Sequence, residues 1–117
     1  MKSRISIALL ALLLSLASVS VGQGSSARRI EITASRFSYN PSEITLKKGE
    51  PVTLALTSTD VTHGLSIKEL GVKVELKKGQ TEEVTLTPDK TGVFQGKCSH
   101  FCGKGHGSMI LAVNVVE

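Results

Sequence analysis

Short runs of alternating apolar and polar residues fill this chain from about residue 29 to its end. Residues 29–37 read as a first strand, with Ile30 and Ile32 on one face. After an Asn40-Pro41 turn, residues 43–47 point Ile44 and Leu46 the same way. Lys48-Gly49-Glu50 turns the chain again, and residues 51–58 set Val52, Leu54 and Leu56 against Thr53 and Thr57. The pattern continues through 65–67, 72–76, 82–87, 93–97 and 110–116. A period of two sends alternate side chains to opposite faces, so each run can bury one face and wet the other. Turn residues separate the runs and no helical period is sustained. This predicts an all-β, Greek-key sandwich of seven to eight antiparallel strands.

The first stretch breaks the alternation. Lys2 and Arg4 precede an unbroken apolar run from Ile5 to Ala17, and small residues follow through Ser18, Ser20 and Gly22. That is the layout of a secretory signal. The run falls short of the roughly 20 apolar residues of a bilayer span. Counting Val19 and Val21 into it leaves an uncleaved membrane anchor as the alternative. No cysteine lies near the junction, which argues against a lipoprotein anchor. The expected layout is a signal peptide or anchor over 1–22, a linker over 23–29 and one domain over 30–117. Export would place that domain in the periplasm or another extracytoplasmic space, with membrane association only through the N-terminal segment if it is retained.

Charge and aromatic content narrow the partners. The net charge is +4. Without Lys2 and Arg4, twelve basic residues face ten acidic ones, a net +2. That is a mixed surface, not the basic footprint of a nucleic-acid binder. With no tryptophan, one tyrosine and three phenylalanines, base-stacking platforms are excluded as well.

A second break falls between residues 97 and 110. Cys98-Ser-His-Phe-Cys-Gly-Lys-Gly-His-Gly-Ser-Met109 has no periodicity and reads as a loop between strands. Cys98, Cys102, His106 and Met109 crowd it at C-x3-C-x3-H-x2-M spacing. Thiolate, imidazole and thioether together favour copper over oxygen-seeking magnesium or calcium. Zinc takes Cys and His but has little use for a thioether. In a Greek-key sandwich the loop before the last strand can approach His63, at the end of a polar turn far upstream. Blander readings exist for each member. Two cysteines in an exported protein suggest a disulfide, Met109 could be core, and His63 a surface or capping residue. The joint pattern is more specific than any of its parts.

This loop resembles the copper A motif of cytochrome c oxidase subunit II, Cys-x-Glu-x-Cys-Gly-x-x-His-x-x-Met. Cys98, Cys102, Gly103, His106 and Met109 stand in register with it. Asp60-Val61-Thr62-His63 looks like that family's Asp-Val-x-His, Leu70-Gly71-Val72-Lys73 follows as it does there, and Gly96 precedes the first cysteine by two. The similarity spans roughly residues 30–116. It implies a cupredoxin-like sandwich with two copper ions bridged by the Cys98 and Cys102 thiolates, one histidine (His63 or His106) for each copper, and Met109 as a weak ligand. His100 stands where the family has Glu and would supply a backbone carbonyl; its ring would be a surface group, with direct ligation as the alternative.

An electron carrier or electron-input module follows, with a redox partner such as a cytochrome or an oxidase subunit, and no catalysis of its own. Two rivals use overlapping residues. A mononuclear blue-copper carrier would use His63, Cys102, His106 and Met109, leaving Cys98 idle, and a periplasmic copper-delivery protein would use the same donors for transfer. The chain also departs from the family. Gly64-Leu65 replaces the usual Ser-Trp, and without tryptophan an aromatic electron route is missing. A net +2 also sits poorly with an acidic docking face.

Overall fold

A computed structural model describes residues 27–117. The predicted signal or anchor, and most of the predicted linker, lie outside them. Nine strands run in chain order: β1 (Arg28–Ser35), β2 (Ser38–Asn40), β3 (Glu43–Lys47), β4 (Val52–Ser58), β5 (His63–Ile67), β6 (Val72–Leu76), β7 (Thr81–Leu86), β8 (Gly92–Lys97) and β9 (Ile110–Val116). Single 3-10 turns at Lys68–Leu70 and His106–Ser108 are the helical elements among the described residues. The strands form two sheets, ordered β2-β1-β4-β7 and β3-β9-β8-β5-β6. The all-β sandwich expected from the alternation is therefore what forms.

The alternating positions do what a period of two dictates. Ile32, Ala34, Leu54 and Leu56 turn inward from the first sheet, and Leu65, Ile67, Leu111 and Val113 from the second; all are buried. Two details differ from the expectation. β2, only three residues long, is too short to show a period, and residues 36–37 form the turn before it instead of extending β1. The sandwich is also mixed: β1 pairs in parallel with β4, and β3 in parallel with β9. Alternation fixes faces but carries no information on direction. After the β1-β2 hairpin the chain crosses to the other sheet for β3 and returns for β4, so β4 comes back alongside β1 in the same direction.

The meeting of β5 and β8 positions the chemistry. They share one pairing, Ser66 opposite Lys97, whereas β8 and β9 are paired along six residues. Running antiparallel from that pair, the chain after Lys97 passes beside the start of β5, where His63 sits. Two glycines permit the approach. A Cβ on Gly64 would lie 3.1 and 3.2 Å from the backbone nitrogens of His100 and Ser99, and would collide with the Ser99 hydroxyl. A Cβ on Gly96 would lie 2.8 Å from Leu65 and 3.1 Å from Ile67. Overpacking a filled core typically costs about 1–3 kcal/mol. Gly96→Val is therefore expected to lower the melting temperature by several degrees, since about 1 kcal/mol moves a domain of this size by roughly 4–8 °C. An unchanged melting curve would show that β5 can yield.

Candidate metal centre

Strand ends hold most of the donors. His63 opens β5, Cys98 follows β8 directly, and Met109 immediately precedes β9. The intervening loop closes on itself: the Cys98 N–H donates to the Met109 carbonyl at 3.3 Å. Within it the N–H groups of His106, Ser108 and Met109 donate to the carbonyls of Gly103, Gly105 and His106 at 3.0–3.3 Å. Phe37 packs over Gly103 and Gly105, where a Cβ would come within 3.0 and 2.5 Å of its ring. This is a loop with little room to rearrange.

The structure brings all six sequence-predicted residues to one end of the sandwich, five by side chain and His100 by its carbonyl. The Cys98 and Cys102 sulfurs lie 3.6 Å apart. Both are free thiols, far beyond the roughly 2.05 Å of a disulfide. His63 Nδ1 lies 4.0 Å from the Cys98 sulfur, and His106 Nδ1 lies 3.8 Å from that of Cys102. Met109 Sδ is 3.9 Å from Cys102 Sγ, and the His100 carbonyl accepts from the Cys98 thiol at 3.0 Å. The His100 side chain is exposed; those of His63, Cys98, Cys102 and Met109 are buried. The ligand atoms of His63, Cys98 and Cys102 all fall within 4.8 Å of one another. His106 joins from the far side of Cys102.

These separations suit a metal. Donors about 2.0–2.3 Å from a central ion at tetrahedral angles lie roughly 3.3–3.8 Å apart. Two thiols, two imidazoles and a thioether are packed together, with Asp60 on His63 and the His100 carbonyl on Cys98 as their hydrogen-bond partners outside the cluster. Burial, reinforced by the neighbouring Cys98, pushes the Cys102 thiol up to about 11. Metal uptake must then displace the thiol protons.

Three residues beyond the donors shape the site. Asp60 lies 2.7 Å from His63 Nε2, which fixes the proton on that nitrogen and turns the Nδ1 lone pair toward Cys98. Burial pushes the Asp60 carboxyl up, but the Arg36 N–H, His63 and the Val61 N–H outweigh it and hold its pKa near about 2. The carboxylate is thus ionised wherever the ring needs it. Arg36 is tied to Asp60 through its backbone N–H at 2.7 Å, and its guanidinium donates to the Cys102 carbonyl at 3.1 Å. One residue therefore braces both histidine and cysteine segments. Buried Tyr39 donates to the Gly64 carbonyl at 2.6 Å; burial and then the two cysteines push its phenol up, so it stays protonated.

Sequence reading assigned no role to these three. Asp60 carried a signal, its position three residues before His63. Arg36 and Tyr39 carried none, being 66 and 25 residues from their partners. Carboxylates that orient a metal-binding histidine typically contribute about 10–100-fold in affinity. Asp60→Ala is expected to weaken metal binding by that factor in a chelator competition, and undiminished affinity would show that the ring is held by packing alone.

A soft, sulfur-centred donor set at one end of a two-sheet sandwich defines the class: a copper-binding domain of the cupredoxin type. The comparisons with known proteins agree. The family described as cytochrome c oxidase subunit II, periplasmic domain, matches residues 25–116, and the chain belongs to that family. It is thus a copper-binding electron-transfer domain of the cytochrome c oxidase subunit II type, and the family places it outside the cytoplasm.

Cytochrome c oxidase subunit 2 of Thermus thermophilus is 29% identical over 97 residues, covering 83% of this chain and 72% of the relative. A probable cytochrome c oxidase subunit 2 of Streptomyces coelicolor is 39% identical over 72 residues, covering 62% of this chain. The match takes in only 23% of that longer relative. The periplasmic domain of subunit II of cytochrome oxidase from Bradyrhizobium japonicum superposes with a TM-score of 0.70 at 24% identity, over 77% of this chain and 84% of the other, and shares the fold. No helix among the described residues is long and apolar enough to cross a membrane.

Proposed function

We propose that this domain holds a dinuclear copper A centre and passes single electrons between an extracytoplasmic redox partner and an oxidase subunit. The observation that carries the dinuclear count is the pair of free thiols 3.6 Å apart with an imidazole on each flank, His63 beside Cys98 and His106 beside Cys102. A mononuclear site uses one thiolate and would leave Cys98 without a task. Cys98 and Cys102 would bridge the two ions, His63 and His106 would each bind one, and the Met109 thioether and the His100 carbonyl would be weak outer donors. When bound, two coppers sharing these sulfurs supply one delocalised redox electron at fixed ligand positions.

The chain's own residues keep those positions fixed. Strands β5, β8 and β9 anchor His63, Cys98 and Met109. Asp60 orients the His63 ring, and Arg36 and Phe37 restrain the loop. Burial of both sulfurs keeps water from them. No general base or substrate pocket is required. The layout that fits is a cupredoxin domain that begins with β1 at Arg28, two residues before the expected start at 30, behind an N-terminal signal or anchor over 1–22.

The test is an electron paramagnetic resonance spectrum of the copper-loaded protein. One electron shared by two equivalent spin-3/2 nuclei splits into seven lines, at two coppers per chain. Four lines at one copper per chain would replace the proposal with a blue-copper site. Met109→Leu is expected to keep both ions and shift the reduction potential, because an axial thioether tunes such a site more than it holds it. Loss of metal in that variant, measured by copper analysis, would make Met109 a principal ligand.

A further inference from the structure

The outer face of the second sheet carries a groove that the electron-transfer site does not explain. It occupies about 500 Å³ where β5 and β8 diverge beyond their single pairing. Val93, 75% exposed on the outer face of β8, and half-buried Phe94, packed against the core, are its apolar lining. Three exposed lysines border it: Lys68 on the turn after β5, Lys73 on β6 and Lys97 on β8. The groove itself holds one carboxylate, Glu69, and Glu75 lies two residues from Lys73 on the same face. Among the described residues, no carboxylate lies within ion-pair distance of the three lysines. Buried Cys98 is also among the residues that line it.

We propose that this groove is the docking surface for a redox protein presenting an acidic face. Unpaired lysines around the exposed Val93 side chain match the arrangement of a transient interface, an apolar contact with a charged rim that steers encounter. The charge sign selects an acidic partner. Cys98 among the lining residues supplies the purpose, since a partner seated there lies beside one of the proposed copper ligands. A small anion fits less well, because the lysines are exposed and spread over three elements, with no buried donor aimed inward. The inference rests on the copper A reading for its electron step: one electron leaves a ferrous haem and enters the oxidised, copper-loaded chain, and no bond forms or breaks.

The test uses one haem protein in two charge states: a basic cytochrome c, and the same cytochrome with its lysines succinylated. Stopped-flow reduction of the copper-loaded chain is expected to be about tenfold faster with the succinylated form at low salt, with the advantage fading as salt rises. Lys68→Glu/Lys73→Glu should abolish the advantage. Lys47→Glu/Lys48→Glu, an equal charge change on β3 and its turn at the opposite edge of the sheet, should keep it. Binding is read separately on the reduced chain, where amide shifts on adding succinylated cytochrome should cluster at residues 66–73 and 93–99.

A faster reaction with the basic form would overturn the proposal. So would equal losses in both double variants, or shifts centred on Phe101. Full suppression by inorganic phosphate at matched ionic strength would make it a small-anion site instead. A failed copper A reading shows itself differently, in the copper spectrum of the unmodified chain, and leaves the amide-shift result intact.

Discussion

Cys98→Ser and Cys102→Ser are each expected to abolish the two-copper spectrum altogether. Each thiolate would serve two ions at once. A serine hydroxyl is a harder donor, its oxygen does not ionise near neutral pH, and its shorter bond cannot bridge the span that sulfur covers. The two variants should nonetheless fail differently. Cys98 faces His63 and the His100 carbonyl, whereas Cys102 faces His106 and Met109. Cys98→Ser leaves His106, Cys102 and Met109 together, with His63 within reach of Cys102, so it should retain one copper with a mononuclear spectrum. Cys102→Ser strips the sulfur that His106 and Met109 share, and should bind copper more weakly. The fold should survive both changes, because serine is close to cysteine in size and most of the buried core is supplied by the strands of the two sheets. Copper analysis with paramagnetic resonance checks the order. Two coppers retained in either variant would end the bridging assignment.

How much of this was legible in the chain depends on the range of the interaction. Strands β3, β6 and β9 begin and end where alternation placed them, because a half-buried strand writes its faces into neighbouring residues. The donors were legible for a related reason: four of them lie within twelve residues, and chemistry alone marks Cys, His and Met in a glycine-rich loop. His63 needed the fold class and the resemblance, since nothing near it says which distant loop it faces. The parallel pairings of β1 with β4 and β3 with β9 were hidden, because direction depends on which sheet the chain crosses to. The supports at Arg36 and Tyr39 were hidden for the same reason. An arginine in a turn and a tyrosine in a three-residue strand look ordinary until folding sets them against Cys102 and Gly64. The basic groove is a further step removed: Lys68, Lys73 and Lys97 are unremarkable surface residues until three separate elements converge.

His106→Ala is expected to destroy the two-copper signal, while His100→Ala is expected to preserve it with a modest perturbation. The two histidines share a loop, and the structure separates them by role. His106 Nδ1 lies 3.8 Å from the Cys102 sulfur, on a helical turn whose N–H is held by the Gly103 carbonyl at 3.1 Å. Its ring also sits 5.7 Å from that of Phe101, centroid to centroid, tilted by 42°. Removing it takes away an imidazole that nothing nearby replaces. His100 presents only its carbonyl, 3.0 Å from the Cys98 sulfur, and its ring faces solvent. Alanine keeps that carbonyl, so the donor survives the substitution. This also accounts for the change from the family's usual Glu at this position, since the side chain can vary while the backbone contact is unchanged. Exogenous imidazole offers a further check. It should restore part of the signal to His106→Ala, where a ring-sized space opens beside Cys102, and leave His100→Ala unaffected. If His100→Ala lost copper while His106→Ala kept it, the motif register would be wrong and the site would have to be rebuilt around Cys98 and His100.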